Sequence, residues 1–252
     1  QGYLKGDHID DALQGAMPGI PVRMGFYGPS PGDSVYDDNT LSHLELRNSL
    51  MSHQTYSNFA VFMEAELAIL QDLGYKIDRR NFFGSSVYGS GLTLHNTNPY
   101  FARNTAGTDY LDGQYSQTTL GLGLHVYGSQ NDITQSADIL TQGAGAAGMR
   151  VDGEENTIHI PEATKIHANG LNGRGTMFTY GKDHQLIHQG EIQAMGDNGV
   201  GLLFSFGNNS NSNASEYRGS WIRNRINPWT GQKENLNMLP ELQGALMKQV
   251  DI

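Results

Sequence analysis

Cysteine is absent from this sequence, so disulfides and thiolate metal sites are excluded and stability must come from packing. Charge is also scarce, at 17% of residues, and the formal net charge is −10. That balance argues against a nucleic-acid partner, because phosphate binding needs clustered Lys and Arg. The one basic, aromatic stretch, "YRGSWIRNR" from Tyr217 to Arg225, reads as a solvated loop. No run reaches the roughly 18 consecutive apolar residues of a membrane helix. With neither an initiating Met nor a signal peptide, Gln1 reads as the start of a processed or excised fragment.

Glycine is what the chain has in quantity: 32 of 252 residues, against a usual share of about 7%. Asn, Gln, Ser and Thr crowd the second half. This mixture suits a β-rich protein with many turns.

The pattern changes near Arg80. Before it lie Gly- and Pro-rich loops and one helix signal, "NFAVFMEAELAILQDLGY". Phe59, Phe62, Met63, Leu67, Leu70 and Leu73 fall close to one helical face, which predicts a helix near 58–73. Ser57 or Asn58 is the expected N-cap, and Gly74 the left-handed residue that ends it.

After Arg80 three segments align, beginning at Gly123, Gly148 and Gly175, with a fourth at Gly201; these glycines are 25, 27 and 26 residues apart. Gly128, Gly153, Gly181 and Gly207 keep nearly the same step. Such a period signals a solenoid. Each repeat reads as two or three short alternating strands without a helix, so the expected fold is a parallel β-helix with coils about 4.8 Å apart. Leu124, Val126, Met149, Val151, Met177 and Leu202 are the expected inward columns. The glycines are expected to serve turns at φ > 0. Asn131 and Asn156 hold matching positions and would form an internal amide ladder. "LPELQGALMKQVDI" has a strand–Gly–strand look, with Leu242 and Leu246 as inward candidates, and the solenoid reads as truncated at its C-terminus.

Residues 120–220 resemble the passenger domains of Gram-negative autotransporters, through "GLGLHVYGSQNDIT", "AAGMRVDGEENTI", "FTYGKDHQLIHQGEIQAMGDNGVGLLFSFG" and "SEYRGS". The resemblance implies a right-handed β-helix, export through the periplasm, a cell-surface or secreted location, and an outer-membrane translocator barrel in the parent protein. The front section, "SHLELRNSLMS…FMEAELAILQDLGYKID", resembles the C-terminal subdomain of leishmanolysin-type zinc metalloproteases. Carried over by position, His43 would be the third zinc ligand, Glu45 the acidic residue beside it and Met51 the Met-turn residue beneath the metal. No HExxH occurs in the chain, so two ligands and the general base are missing. By this reading the fragment carries no cofactor and no catalytic residue of its own. Zinc would belong to a full-length protein that supplies the missing N-terminal half.

Other residues invite plainer readings. His53 reads as a polar turn residue. Glu64 and Glu66, two apart on a helix, diverge and are expected at the surface. His125 is expected at the surface too. His159, His167, His184 and His188 are expected on separate strands. Asp132, Glu155 and Asp183 fall near equivalent turns and would make an acidic stripe. With no basic partners, that stripe reads as a solvated turn row.

The chain is therefore expected to be mainly β: a small, partly helical lobe over residues 1–80, then a right-handed parallel β-helix over 81–252. The expected role is a surface-displayed stalk and binding scaffold whose partner is a host surface molecule or a neighbouring bacterial cell. The alternatives are the C-terminal part of a zinc metalloprotease passenger and a β-helix polysaccharide-active enzyme.

Overall fold

The computed structural model describes residues 2–22, 44, 46, 49–51, 62–179 and 181–205, with the backbone of strands at 223–226, 233–236 and 243–249. The chain divides into two compact units, Gln1–Tyr75 with Phe206–Glu241, and Lys76–Ser205 with Leu242–Ile252.

In the first unit, β1 (Gly2–Leu4) pairs antiparallel with β2 (Ile20–Val22), and α1 (Asp7–Leu13) lies between them in sequence. Ile9, Ala12 and Leu13 give α1 its buried stripe. The start of α1 is capped from a distance: the His8 and Ile9 N–H groups both donate to the Asp72 carboxylate at 3.0 Å. A Cβ on Gly6 would overlap that carboxylate, so this glycine is a matter of space.

Asp72 closes α2 (Glu64–Asp72), the helix that the sequence pattern places near 58–73. Phe62 and Met63 precede it in non-helical backbone, and the expected caps Ser57 and Asn58 lie outside the described residues. Met63 is the N-cap, its N–H bound by the Glu66 side chain at 2.7 Å. Gly74, at φ +94°, ends the helix as expected. The buried face is Met63, Ala65, Leu67 and Ala68, whereas Phe62 and Leu73 are exposed. Glu64 and Glu66 are both buried, correcting the expectation of solvent exposure. Helical spacing does send them in different directions, but Glu66 turns back onto backbone donors.

The second unit is a β-solenoid. A partial coil, β3 (Phe83–Val87) and β4 (Thr93–Asn96), precedes three complete ones. These are β5 (Leu122–Val126), β6 (Asp132–Gln135) and β7 (Ile139–Thr141); β8 (Ala147–Val151), β9 (Thr157–Ile160) and β10 (Lys165–Ala168); and β11 (Arg174–Phe178), β12 (Lys182–His188) and β13 (Glu191–Gln193). β14 (Val200–Phe204) opens another coil; the antiparallel hairpin of β15 (Arg223–Ile226) and β16 (Lys233–Leu236) that follows in sequence belongs to the first unit, and β17 (Gln243–Gln249) adds to β12. The first sheet stacks β3, β5, β8, β11 and β14; the second β4, β6, β9, β12 and β17; the third β7, β10 and β13, all parallel.

Leu124, Val126, Met149, Val151, Ile133, Ile158, Leu186, Ile139 and Ile166 fill the core, each contributing roughly 1.5–3 kcal/mol. Met177 is not in the inward column as expected. Register pairs it with Arg150, while Thr176 pairs with Met149 and Leu202, so a polar residue takes the core position. The Phe178 and Phe204 rings stack at 5.0 Å. At β17, backbone register pairs Leu246 with Gln185 and Met247 with Leu186; Leu242 lies outside the described residues.

The leading glycines do stack, but not for the expected reason. None of Gly123, Gly148, Gly175 and Gly201 has positive φ. A Cβ on Gly148 would sit 2.6 Å from Ile166 Cγ2, one on Gly175 2.6 Å from Ile192 Cγ2, and one on Gly123 against Ile139. The column leaves room for the isoleucines of the third sheet. Left-handed backbone falls on the second glycine set at Gly153 and Gly181, as expected, and on two further columns of mostly non-glycine residues: Leu120, Gly145, Asn172 and Asn198, and Gln130, Glu155 and Asp183.

Tyr100 and Ser116 each make an isolated parallel bridge to β7, at Ile139 and Thr141. Residues 101–115 thus form an excursion from the third side of the first coil. Tyr100 anchors its start in the core, donating its hydroxyl to Asn81 O at 2.9 Å, and burial pushes that phenol up to about 12.

Candidate functional site

His43, Glu45 and His53 lie outside the described residues. Met51 is described, and its side chain is exposed. Its N–H donates to Glu66 Oε1 at 2.7 Å, and its carbonyl accepts from Leu44 N–H at 3.0 Å. Glu66 Oε2 also takes the N–H groups of Leu50 at 3.3 Å and Met63 at 2.7 Å. One buried carboxylate therefore fastens the turn at 49–51 to the start of α2. Burial pushes the Glu66 carboxyl up, opposed by these donors. Among the described residues no three His, Asp or Glu side chains are grouped to hold a metal.

Asn131 and Asn156 form successive rungs inside the solenoid. Leu92 N–H donates to Asn131 Oδ1 at 2.9 Å, Asn131 N–H to Asn156 Oδ1 at 3.0 Å, and Asn156 N–H to His184 Nδ1 at 3.2 Å. Histidine thus takes the place of asparagine at the third rung. His184 and His188 share β12, rather than lying on separate strands; His159 and His167 lie on β9 and β10.

His125 is buried, at 1% exposure, which corrects its expected surface position. Its Nε2 lies 2.8 Å from Asp152 Oδ2; Arg150 Nε donates to Asp152 Oδ1 at 3.1 Å, and the Thr179 hydroxyl also donates to this carboxylate. Burial alone would raise Asp152, but Arg150, His125 and Thr179 outweigh it and hold the carboxyl well below the usual range. Tyr88 stands edge-on to His125 at 6.4 Å. This closed, buried cluster joins three coils.

The acidic stripe is not formed as expected. Register places Asp132 beside Thr157, two residues past the turn row of Gln130, Glu155 and Asp183. Asp132 instead lies 3.1 Å from His159.

A partly buried constellation sits on the outer face of the third sheet. Leu140, His167 and Gln193 stack in register, alternating with core residues, and the bridge at Ser116 brings Tyr115 into line with them. The Tyr115 hydroxyl lies 2.6 Å from His167 Nδ1, with the two rings stacked at 25°. His167 Nε2 lies 3.2 Å from Glu191 Oε1, an ion-pair distance without the alignment of a hydrogen bond. Gln193 Nε2 donates to Glu191 Oε1 at 3.2 Å, Asn169 Nδ2 donates to Gln193 Oε1 at 2.7 Å, and Asn169 Oδ1 accepts the Met195 N–H at 3.0 Å. These contacts link the five side chains in series, from Tyr115 through His167, Glu191 and Gln193 to Asn169. Burial pushes the His167 imidazole down, against the pull of Glu191, and burial followed by the Glu191 charge pushes the Tyr115 phenol up. Sequence reading passed over this group because Tyr115 belongs to the non-repeating excursion. Aligning "DILT", "KIHA" and "EIQA" on their isoleucines would have exposed the outward pairs.

No protein-family model matches the chain, and no curated protein or solved structure matches it. The fold itself gives the class: a mainly β protein built on a parallel β-solenoid, with a small helical lobe.

Proposed function

We propose that the chain is part of an exported autotransporter passenger, in which the solenoid is a rigid stalk and binding scaffold for a host surface molecule or a neighbouring cell. The observation that carries this reading is the excursion at 101–115, lodged between two bridges to β7 without interrupting the stack below it. A spine whose backbone bonds run coil to coil can carry inserted segments at little cost to its core, and such segments are where binding residues gather. The net charge of −10 supports a partner that is not a polyanion.

Display is tested on intact cells that produce the parent protein. Antibody against the solenoid should label unpermeabilised cells, and external protease should remove the label. Labelling only after permeabilisation would overturn the assignment.

A further inference from the structure

We propose that the linked set of Tyr115, His167, Glu191, Gln193 and Asn169 is a binding site for an uncharged saccharide; this deepens the scaffold reading and rests on it. The side chains come from three places in the sequence: the end of the excursion, β10 with the residue after it, and β13. They converge because the excursion returns at Ser116 one coil from Leu140 and two from His167.

Two features point to a ligand. The side chains are held by one another: His167, 7% exposed, is fixed between Tyr115 and Glu191, and the Asn169 and Gln193 amides are chained to the same carboxylate. Polar side chains at a surface gain little from one another in water, and ordering them costs entropy, so a set linked in this way is a preorganised surface. The set also keeps hydrogen-bonding capacity toward solvent. Glu191 is 51% exposed and only its Oε1 is engaged among the described residues, and each amide nitrogen there has a second hydrogen.

The chemistry selects a polyol. Neighbouring sugar hydroxyls donate to a carboxylate while accepting from amides, and the half-buried Tyr115 ring offers an apolar face to sugar C–H groups. The charged neighbours are Glu191, Asp138 and Lys165, with Asp138 Oδ1 already taking the Lys165 N–H at 2.9 Å. This slight excess of negative charge disfavours uronates, sialylated glycans and phosphates.

The test is calorimetric titration of the purified chain with maltohexaose, chitohexaose and an oligogalacturonate, repeated on Glu191→Gln and Tyr115→Ala. We expect binding of a neutral or acetamido probe, weakened about tenfold or more in each variant, as befits a lost hydrogen bond to a charged group. Far-UV circular dichroism and melting should be unchanged in Glu191→Gln, which alters an exposed group. No binding of either uncharged probe, equal binding by the variants, or binding of oligogalacturonate alone would overturn the site. A failure here leaves surface display standing, since display is measured on cells without any saccharide.

Discussion

The amide oxygen of Asn156 accepts the backbone N–H of Asn131, 3.0 Å away on the preceding coil. The same side chain donates to Gly128 O at 2.9 Å and to Asp152 O at 2.8 Å, so one asparagine satisfies three backbone groups in the interior. Asn156→Ala leaves them without partners and should cost about 3 kcal/mol. Urea denaturation measures it; a loss below about 1 kcal/mol would show the ladder to be incidental.

Asp152 binds one coil to its neighbours. Replacing it with Asn leaves Arg150 buried beside a neutral group and should cost about 3 kcal/mol near neutral pH. The sign of the acid response follows from the depressed carboxyl: its contribution is present above the unfolded value of about 3.9 and is lost as pH falls through the lower folded value. Wild-type stability should therefore fall in acid below about pH 4, with a smaller fall in Asp152→Asn. Melting temperatures from pH 7 to pH 2 make the comparison.

The glycine columns separate two kinds of constraint. Gly148→Ala forces a Cβ onto Ile166 and the neighbouring carbonyl and should destabilise by about 2 kcal/mol. Glu155→Gly removes a side chain from backbone at φ 53°, relieving strain of roughly 1 kcal/mol while loosening the unfolded chain. It should stay within about 0.5 kcal/mol of wild type. The reverse order in denaturant titrations would refute this division of roles.

In the helical lobe, Glu66→Ala should release the turn at Leu50 and Met51 and the start of α2, at a cost of about 2 kcal/mol. Hydrogen exchange at the Leu50, Met51 and Met63 amides should accelerate together. Acceleration at Met63 alone would mean that Glu66 acts only as a local cap.

The solenoid was legible because Gly123, Gly148, Gly175 and Gly201 recur at nearly constant spacing. Gly84 belongs to the same column, since Phe83 and Ser85 pair with Leu122 and Leu124, but the excursion puts it 39 residues before Gly123 and out of the repeat. The physical role of the column was not legible, because spacing does not tell a glycine that frees φ from one that makes room for an isoleucine. His125 and Glu66 were misplaced for a related reason: alternation and helical phase give direction, not what a side chain meets there. Tyr115 and His167 could not be joined from sequence, being 52 residues apart with only one of them in a repeat.

The most direct test of the binding-scaffold account is competition. Cells displaying the parent protein are mixed with host cells or with one another, and adhesion or aggregation is counted with and without the purified chain. The account expects adhesion that depends on the displayed protein, falls as purified chain is added, and is not blocked by Tyr115→Ala chain at the same concentration. Adhesion that is the same in cells lacking the protein, or untouched by any amount of added chain, would contradict it.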